Sequence, residues 1–148
     1  MTPANAAVVR RKLARIGRNL QHLAPIAALA LEAYRADYLR VKAVERLLQE
    51  TVDAAVDVNL HLLRGAGHPL PGDYFATFGA LASAGILDEA LAGELAPATG
   101  LRDRIVHEYD ALDDATVLAA VAEACRLFPA YVAAVERALG EADRRADR

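Results

Sequence analysis

Apolar side chains recur every three or four residues along most of the chain, which is the spacing of one face of an α-helix. The pattern predicts a first helix from about Asn5 and a longer second helix over about Asp37–Leu63. A third long helix is predicted over about Asp114–Leu139, where spacings of three and four alternate as in the seam of a helical bundle. Since the sequence contains no run that alternates apolar and polar residues as strands do, we predict an all-α fold.

Shorter elements lie between the second and third long helices. Residues 64–72 hold three glycines and two prolines, which predicts a loop. Asp73 is placed to cap a short helix that stops at Gly85, and Asp88–Leu95 forms another. The charged residues 141–148 are predicted to fray. The expected architecture is a bundle of five or six helices, antiparallel in its long members.

Composition supports one helical domain spanning residues 1–148. Apolar residues make up 55% of the chain and 34 of its residues are alanine, the strongest helix former. The single cysteine, Cys125, excludes an internal disulfide framework and is predicted to be a buried core thiol. No secretory signal is recognised, and the longest mostly apolar stretch, Leu23–Leu31, is too short for a membrane span. We therefore expect a cytoplasmic protein that does not enter a membrane.

Charge is distributed unevenly along the chain. The formal net charge is −3, with +4 in residues 1–64 and −7 in the remainder. In the basic half, Arg11, Arg15 and Arg18 share one face of the first predicted helix. That face is either a solvated outer surface or a ridge that contacts the phosphates of a nucleic acid.

One row of metal-ligand residue types occurs on the second predicted helix. Asp53, Asp57 and His61 follow one another at spacings of four and therefore share a face. No further ligand lies nearby in the sequence, so an Asp57–His61 helical pair is the simpler interpretation. We predict no metal site and no cofactor.

The densest polar cluster lies in residues 100–110. On an ideal helix Arg102 and Tyr109 lie within roughly 20° of each other, whereas Arg102 and His107 lie roughly 140° apart. A site that uses both Arg102 and His107 therefore needs a helix end that unwinds or a second copy of the protein. The structural alternatives are a helix-end ion pair for Arg102 with Asp103 or Glu108, a favourable cation near the helix C-terminus for His107, and a packed aromatic ring for Tyr109.

The segment Arg102-x4-His107-x-Tyr109 resembles the Arg-x4-His-x-Tyr signature of the HEPN superfamily, specifically the HepT toxins. Gly100-Leu-Arg at the start of that segment is also typical of the family, as are Val44–Gln49, Ala54–His61 with its Asp57, and Tyr74–Leu87. The likeness covers nearly the whole chain. Asp103 departs from the commonest family form, which has asparagine after the arginine, and places a negative charge between two arginines.

The resemblance implies a homodimeric, metal-independent endoribonuclease toxin that cleaves messenger or transfer RNA. His107 would move protons and Arg102 would stabilise the phosphate in a cleft shared by two protomers, with Asp103 and Tyr109 in support. Arg104 joins Arg11, Arg15 and Arg18 as a possible contact to RNA phosphates.

The resemblance also implies a partner, an MntA-like nucleotidyltransferase antitoxin that transfers AMP to Tyr109. Two other classes of function remain open from the sequence. One is a non-catalytic HEPN module that binds a nucleotidyltransferase or a nucleotide, and the other is a plain helical dimerisation domain.

Overall fold

A computed structural model of the chain describes the backbone of residues 1–148 and every side chain except that of residue 4. Over this range the chain is helical and contains no strand. The helices are α1 (Pro3–Ala27), α2 (Leu31–Arg35), α3 (Tyr38–Gly65), α4 (Tyr74–Ser83), α5 (Glu89–Leu95), α6 (Ala98–His107) and α7 (Asp114–Ala146). A single 3₁₀ turn, Tyr109–Ala111, separates α6 from α7. The all-α class is confirmed, with α2 a single turn added to the expected bundle.

Local signals set most helix ends. Asp37, Asp73, Asp88 and Asp113 each precede a helix and accept hydrogen bonds from its first backbone N–H groups. After α4, Gly85 adopts a φ of 79°, a conformation that residues with a Cβ atom disfavour. The Ile86 N–H donates to the Leu81 carbonyl. These caps confirm the predicted start of α4 and the predicted stop at Gly85.

Two ends differ from prediction. The first helix begins at Pro3 and not at Asn5, because Thr2 accepts from the Asn5 N–H at 3.2 Å and proline suits the first helical turn. At the other end, α7 continues to Ala146, beyond the predicted end near Leu139, while the fraying expected for residues 141–148 stays a prediction. Arg10 of α1 pairs with Asp143 at 2.8 Å, which holds this end against a neighbouring helix.

The three long helices carry the core. Lys12 and Asn19 of α1 contact Asp57 and Thr51 of α3 respectively, so α1 and α3 run antiparallel. Between the helices lie fully buried side chains that include Ile16, Leu23, Val44, Leu63, Phe78, Val121, Phe128 and Tyr131. Tyr131 of α7 lies edge-on to both Phe78 and Phe128.

One helix, α7, is long and apolar enough to cross a membrane by length and composition alone, with a mean hydropathy of 1.5 over its most apolar window. Core helices of globular proteins share that property, and α7 places nine residues in the core. Cys125 on this helix is only half-buried, and burial raises the pKa of its thiol. Cys125 therefore packs against the core, as predicted, but its thiol is less deeply buried than predicted.

Candidate active site

The polar cluster predicted to carry chemistry lies on α6 and the 3₁₀ turn that follows. α6 packs against α3 through the buried Ile105, and the Thr99 hydroxyl donates to the Ala96 carbonyl at 2.8 Å in its first turn. This packing leaves Arg102 at the edge of the α3–α6 contact, where its side chain is only 18% exposed. Asp103 and Arg104, the next two residues, face solvent.

Arg102 is held by three groups. Its Nε donates to Asp53 Oδ1 of α3 at 2.6 Å, and its Nη1 donates to Asp103 Oδ1 at 3.3 Å. Its guanidinium also lies over the ring of Tyr74 from α4, with the central carbon 5.2 Å from the ring centroid. Of the two carboxylates named from the sequence as alternative partners of Arg102, Asp103 contacts it, whereas Glu108 lies near Arg104. Asp53 and Tyr74 were not predicted as partners.

The charge on Arg102 is secured by these contacts. Partial burial opposes a charged guanidinium, but the hydrogen bond and the negative charge of Asp53 outweigh it and raise the pKa of Arg102, with Asp103 adding to the effect. Nη2 has no hydrogen-bond partner among the described residues. Arg102 is therefore a fixed cation with donors left for an anion such as a phosphate.

His107 and Tyr109 stand at the end of α6. His107 is the last residue of the helix and is exposed, which fits the expected position near a helix C-terminus. The prediction that Arg102 and Tyr109 share a helical face is wrong, because the helix ends at His107 and Tyr109 begins the 3₁₀ turn. There the Tyr109 side chain is 64% exposed and accessible from solvent. Arg104, one turn before the end, lies 3.9 Å from Glu108.

The two carboxylates of the row Asp53, Asp57 and His61 on α3 pair with different cations. Asp53 binds Arg102, and Asp57 pairs with Lys12 of α1 at 2.9 Å. The predicted Asp57–His61 pair is therefore wrong among the described side chains, because Lys12 reaches the carboxylate across the helix contact. No group of metal-ligand side chains is found in the part of the chain that the structure describes.

The basic stripe on α1 borders a surface groove of about 400 Å³ between α1 and α3. Arg11 and Arg15 line it together with Lys12 and Arg46, and Asp53 forms part of its wall. Arg15 lies 3.9 Å from Glu50 in the same groove. Arg18 is exposed but does not line the groove. Asp53 thus contacts Arg102 on one side and borders the basic groove on the other.

Two further openings border Arg102. One is a largely apolar cavity of about 650 Å³ between α3, α6 and α7. The other is a shallow surface pocket of about 540 Å³ between the start of α4 and α6, where Tyr74 and Phe75 face Arg102 and Asp103. The sequence predicted no functional role for Tyr74 or Phe75, which entered only as the first two residues of the family-like segment Tyr74–Leu87.

Comparison with known families shows which family this chain belongs to. The family model described as ribonuclease HepT-like matches residues 16–135, which include Asp53, Arg102, His107 and Tyr109. The chain belongs to the HepT-like ribonuclease family. It is 36% identical over 132 residues to a "tRNA nuclease HepT" from Aphanizomenon flos-aquae, covering 89% of this chain and 90% of the relative. The family predicted from the motif is therefore confirmed.

Solved structures place this HepT-like chain in the same fold. A tri-AMPylated HEPN toxin of Shewanella oneidensis in complex with an MNT antitoxin matches with a TM-score of 0.80 at 21% identity, covering 93% of this chain and 99% of that one. A toxin–antitoxin structure with AMP-PNP also matches with a TM-score of 0.80 at 21% identity, covering 88% of this chain and 98% of that one. The predicted HEPN-type bundle is confirmed by these neighbours.

Proposed function

We propose that this HepT-like protein is the toxin of a toxin–antitoxin module, a cytoplasmic, metal-independent endoribonuclease whose catalytic residues are Arg102 and His107. The observation that carries the proposal is the held guanidinium of Arg102, charged and bordered by an open pocket, on the helix that ends at His107. Family membership and the 36% identical transfer-RNA nuclease support it. Transfer RNA is the first substrate to test.

The chemistry follows from the two side chains. The ribose 2′-OH attacks the adjacent phosphorus, the bond to the 5′-oxygen breaks, and the products carry a 2′,3′-cyclic phosphate and a 5′-OH. Histidine side chains change protonation state near neutral pH, so His107 would take the proton from the 2′-OH or give one to the leaving 5′-oxygen. The guanidinium of Arg102 donates hydrogen bonds to the phosphate oxygens, whose negative charge grows in the transition state.

A second protomer completes the site in this proposal. Arg102 and His107 are five positions apart on α6, which directs them roughly 140° apart around the helix axis. Two copies of the chain that meet near the end of α6 would each contribute one arginine and one histidine to a shared cleft. A homodimer is therefore the expected active form.

Tyr109 is the proposed site of control. Its side chain is 64% exposed in the turn after His107, where a modifying enzyme has access to it. A nucleotidyltransferase antitoxin that attaches AMP to the hydroxyl would place negative phosphates next to His107 and repel the RNA backbone. The tri-AMPylated toxin and its MNT antitoxin among the structural neighbours support this partner.

The test is cleavage of transfer RNA by the purified protein in EDTA, with wild type beside His107→Ala. The protein is produced in cells that lack a nucleotidyltransferase antitoxin, so that Tyr109 stays unmodified. We expect His107→Ala to lose about 10²–10⁴-fold in rate, the usual contribution of general acid–base catalysis, with unchanged circular dichroism. Products of the wild type should end in 2′,3′-cyclic phosphate. No cleavage by a folded, unmodified wild type would contradict the proposal and favour the non-catalytic module.

A further inference from the structure

Two aromatic residues begin α4 with their rings outside the core. Phe75 is 58% exposed and Tyr74 is 41% exposed, whereas Phe78 and Leu81 of the same helix are fully buried. The core contacts of α4 are thus made by other residues, and the Phe75 ring contributes little to packing. A single exposed aromatic ring is ordinary on a protein surface, so the position of Phe75 beside Arg102 is what matters.

The pocket of about 540 Å³ between α4 and α6 brings Phe75 and Arg102 to one opening. One face of the Tyr74 ring is covered by the Arg102 guanidinium, so Phe75 offers the freer ring. Asp73 and Asp103 also line the pocket. Their carboxylates disfavour a second phosphate there, but they accept hydrogen bonds from N–H groups on the edge of a ligand.

We propose that this pocket is a nucleobase-binding subsite, in which a base of single-stranded RNA stacks on Phe75 while Arg102 holds the neighbouring phosphate. The proposal rests on the proposed ribonuclease function. Single-stranded RNA is recognised by bases that stack on aromatic side chains and by cations that contact the backbone, and this pocket presents both within one opening. Bases with exocyclic amino groups suit the two carboxylates.

The first turn of α4, which carries Phe75, is held by a helix cap and by hydrogen bonds that reach the bundle interior. Asp73 Oδ1 accepts from the Ala76 N–H at 2.8 Å, which fixes the first turn of α4. The Thr77 hydroxyl donates to the Tyr74 carbonyl at 2.7 Å and accepts from Asn59 Nδ2 of α3 at 3.0 Å. Since Thr77 and Asn59 are almost fully buried, the start of α4 is tied to the bundle interior. A fixed backbone under Phe75 reduces the conformational freedom that is lost when a base stacks on its ring.

The experiment measures the affinity of the full-length protein for a short 2′-O-methyl RNA, which has no 2′-OH and is not cleaved. A second probe has the same backbone without bases. We expect Phe75→Ala to weaken binding of the base-bearing probe by about 5- to 150-fold, the range that one base–aromatic stack supplies, and to leave binding of the abasic probe unchanged. Phe75→Tyr should keep the affinity of the wild type, because it retains an aromatic face. Phe75→Leu has no aromatic face and should lose affinity as Phe75→Ala does.

Leu39→Ala is the matched control, since Leu39 is 77% exposed and does not line the pocket. It should bind both probes as the wild type does. Equal losses on the two probes, no loss on either, or no binding of the base-bearing probe by wild type would overturn the subsite. If Phe75→Ala changed the oligomeric state of the protein in solution and left the RNA affinity unchanged, the Phe75 ring would instead be part of a protein interface. Failure of the ribonuclease function shows separately, as absent cleavage of natural RNA while the dependence on Phe75 persists.

Discussion

Asp53 of α3 accepts a hydrogen bond from Arg102 Nε at 2.6 Å and so orients the one cation of α6 that is largely shielded from solvent. The two residues are 49 positions apart in the sequence. A carboxylate in this position fixes the plane of the guanidinium and leaves Nη2 for a ligand. Asp103, which is 59% exposed and bonds Nη1 at 3.3 Å, is the more exposed and the more distant of the two carboxylates.

The first prediction is that Asp53→Asn slows RNA cleavage. An amide keeps the shape of the side chain but lacks the charge that holds Arg102, and a catalytic group displaced by about 1 Å can cost about 10²-fold in rate. We expect kcat to fall on this order while KM changes little, as measured by steady-state cleavage of a fluorogenic RNA. The control is Asp143→Asn, which removes the exposed carboxylate that pairs with Arg10. This variant should keep the kcat of the wild type. Equal kcat values for Asp53→Asn and wild type would mean that Asp53 does not position Arg102.

The second prediction concerns the basic groove between α1 and α3. If Arg11 contacts a phosphate of the RNA, Arg11→Gln removes one released counterion and reduces the slope of log affinity against log salt by about 0.7 for single-stranded RNA. Titrations of a 2′-O-methyl RNA at several salt concentrations measure that slope. Arg10→Gln should leave it unchanged, since Arg10 pairs with Asp143 and does not line the groove. A slope that is the same in all three proteins would assign the arginines of α1 to an ordinary solvated face.

The third prediction is that Tyr109 is the acceptor of AMP. Co-expression with an MntA-like nucleotidyltransferase antitoxin should raise the intact mass of the wild-type protein by one or more AMP groups, and Tyr109→Phe should abolish the increase. Tyr38→Phe is the control, because Tyr38 is 71% exposed but lies at the start of α3. A mass increase that persists in Tyr109→Phe would place the modification on another residue.

The fourth prediction contrasts two buried tyrosines. The Tyr34 hydroxyl has no hydrogen-bond partner among the described residues, and burial, with Asp114 and Glu45 adding their negative charge, raises its pKa well above the usual value. We expect Tyr34→Phe to raise the free energy of unfolding by about 1 kcal/mol, because an unpaired buried hydroxyl is removed. The melting temperature should then increase by about 2–4 °C.

Tyr131→Phe should have the opposite effect. The Tyr131 hydroxyl lies 2.6 Å from Asn59 Oδ1 and 3.0 Å from the Ala55 carbonyl, so its removal takes the donor from the nearer buried acceptor, Asn59 Oδ1. The expected loss is about 1–3 kcal/mol, measured by denaturant unfolding beside Tyr34→Phe. Destabilisation of similar size by both variants would show that the Tyr34 hydroxyl is satisfied in solution.

The sequence by itself determined the features that depend on neighbours within a few residues. Apolar spacing predicted the long helices, Asp73 predicted a helix start, and Gly85 predicted a helix stop, because these signals act within one or two helical turns. The motif of Arg102, His107 and Tyr109 identified the family for a similar reason, since its spacing is local.

Only the tertiary structure decided which side chains meet. Asp53 looked like part of a row with Asp57 and His61, but the crossing of α3 with α6 and α1 gave each carboxylate a cation from another helix. The same packing brought Phe75 to the pocket of Arg102. Contacts of this kind depend on how helices are placed relative to one another, which is set by the whole core and not by any local pattern.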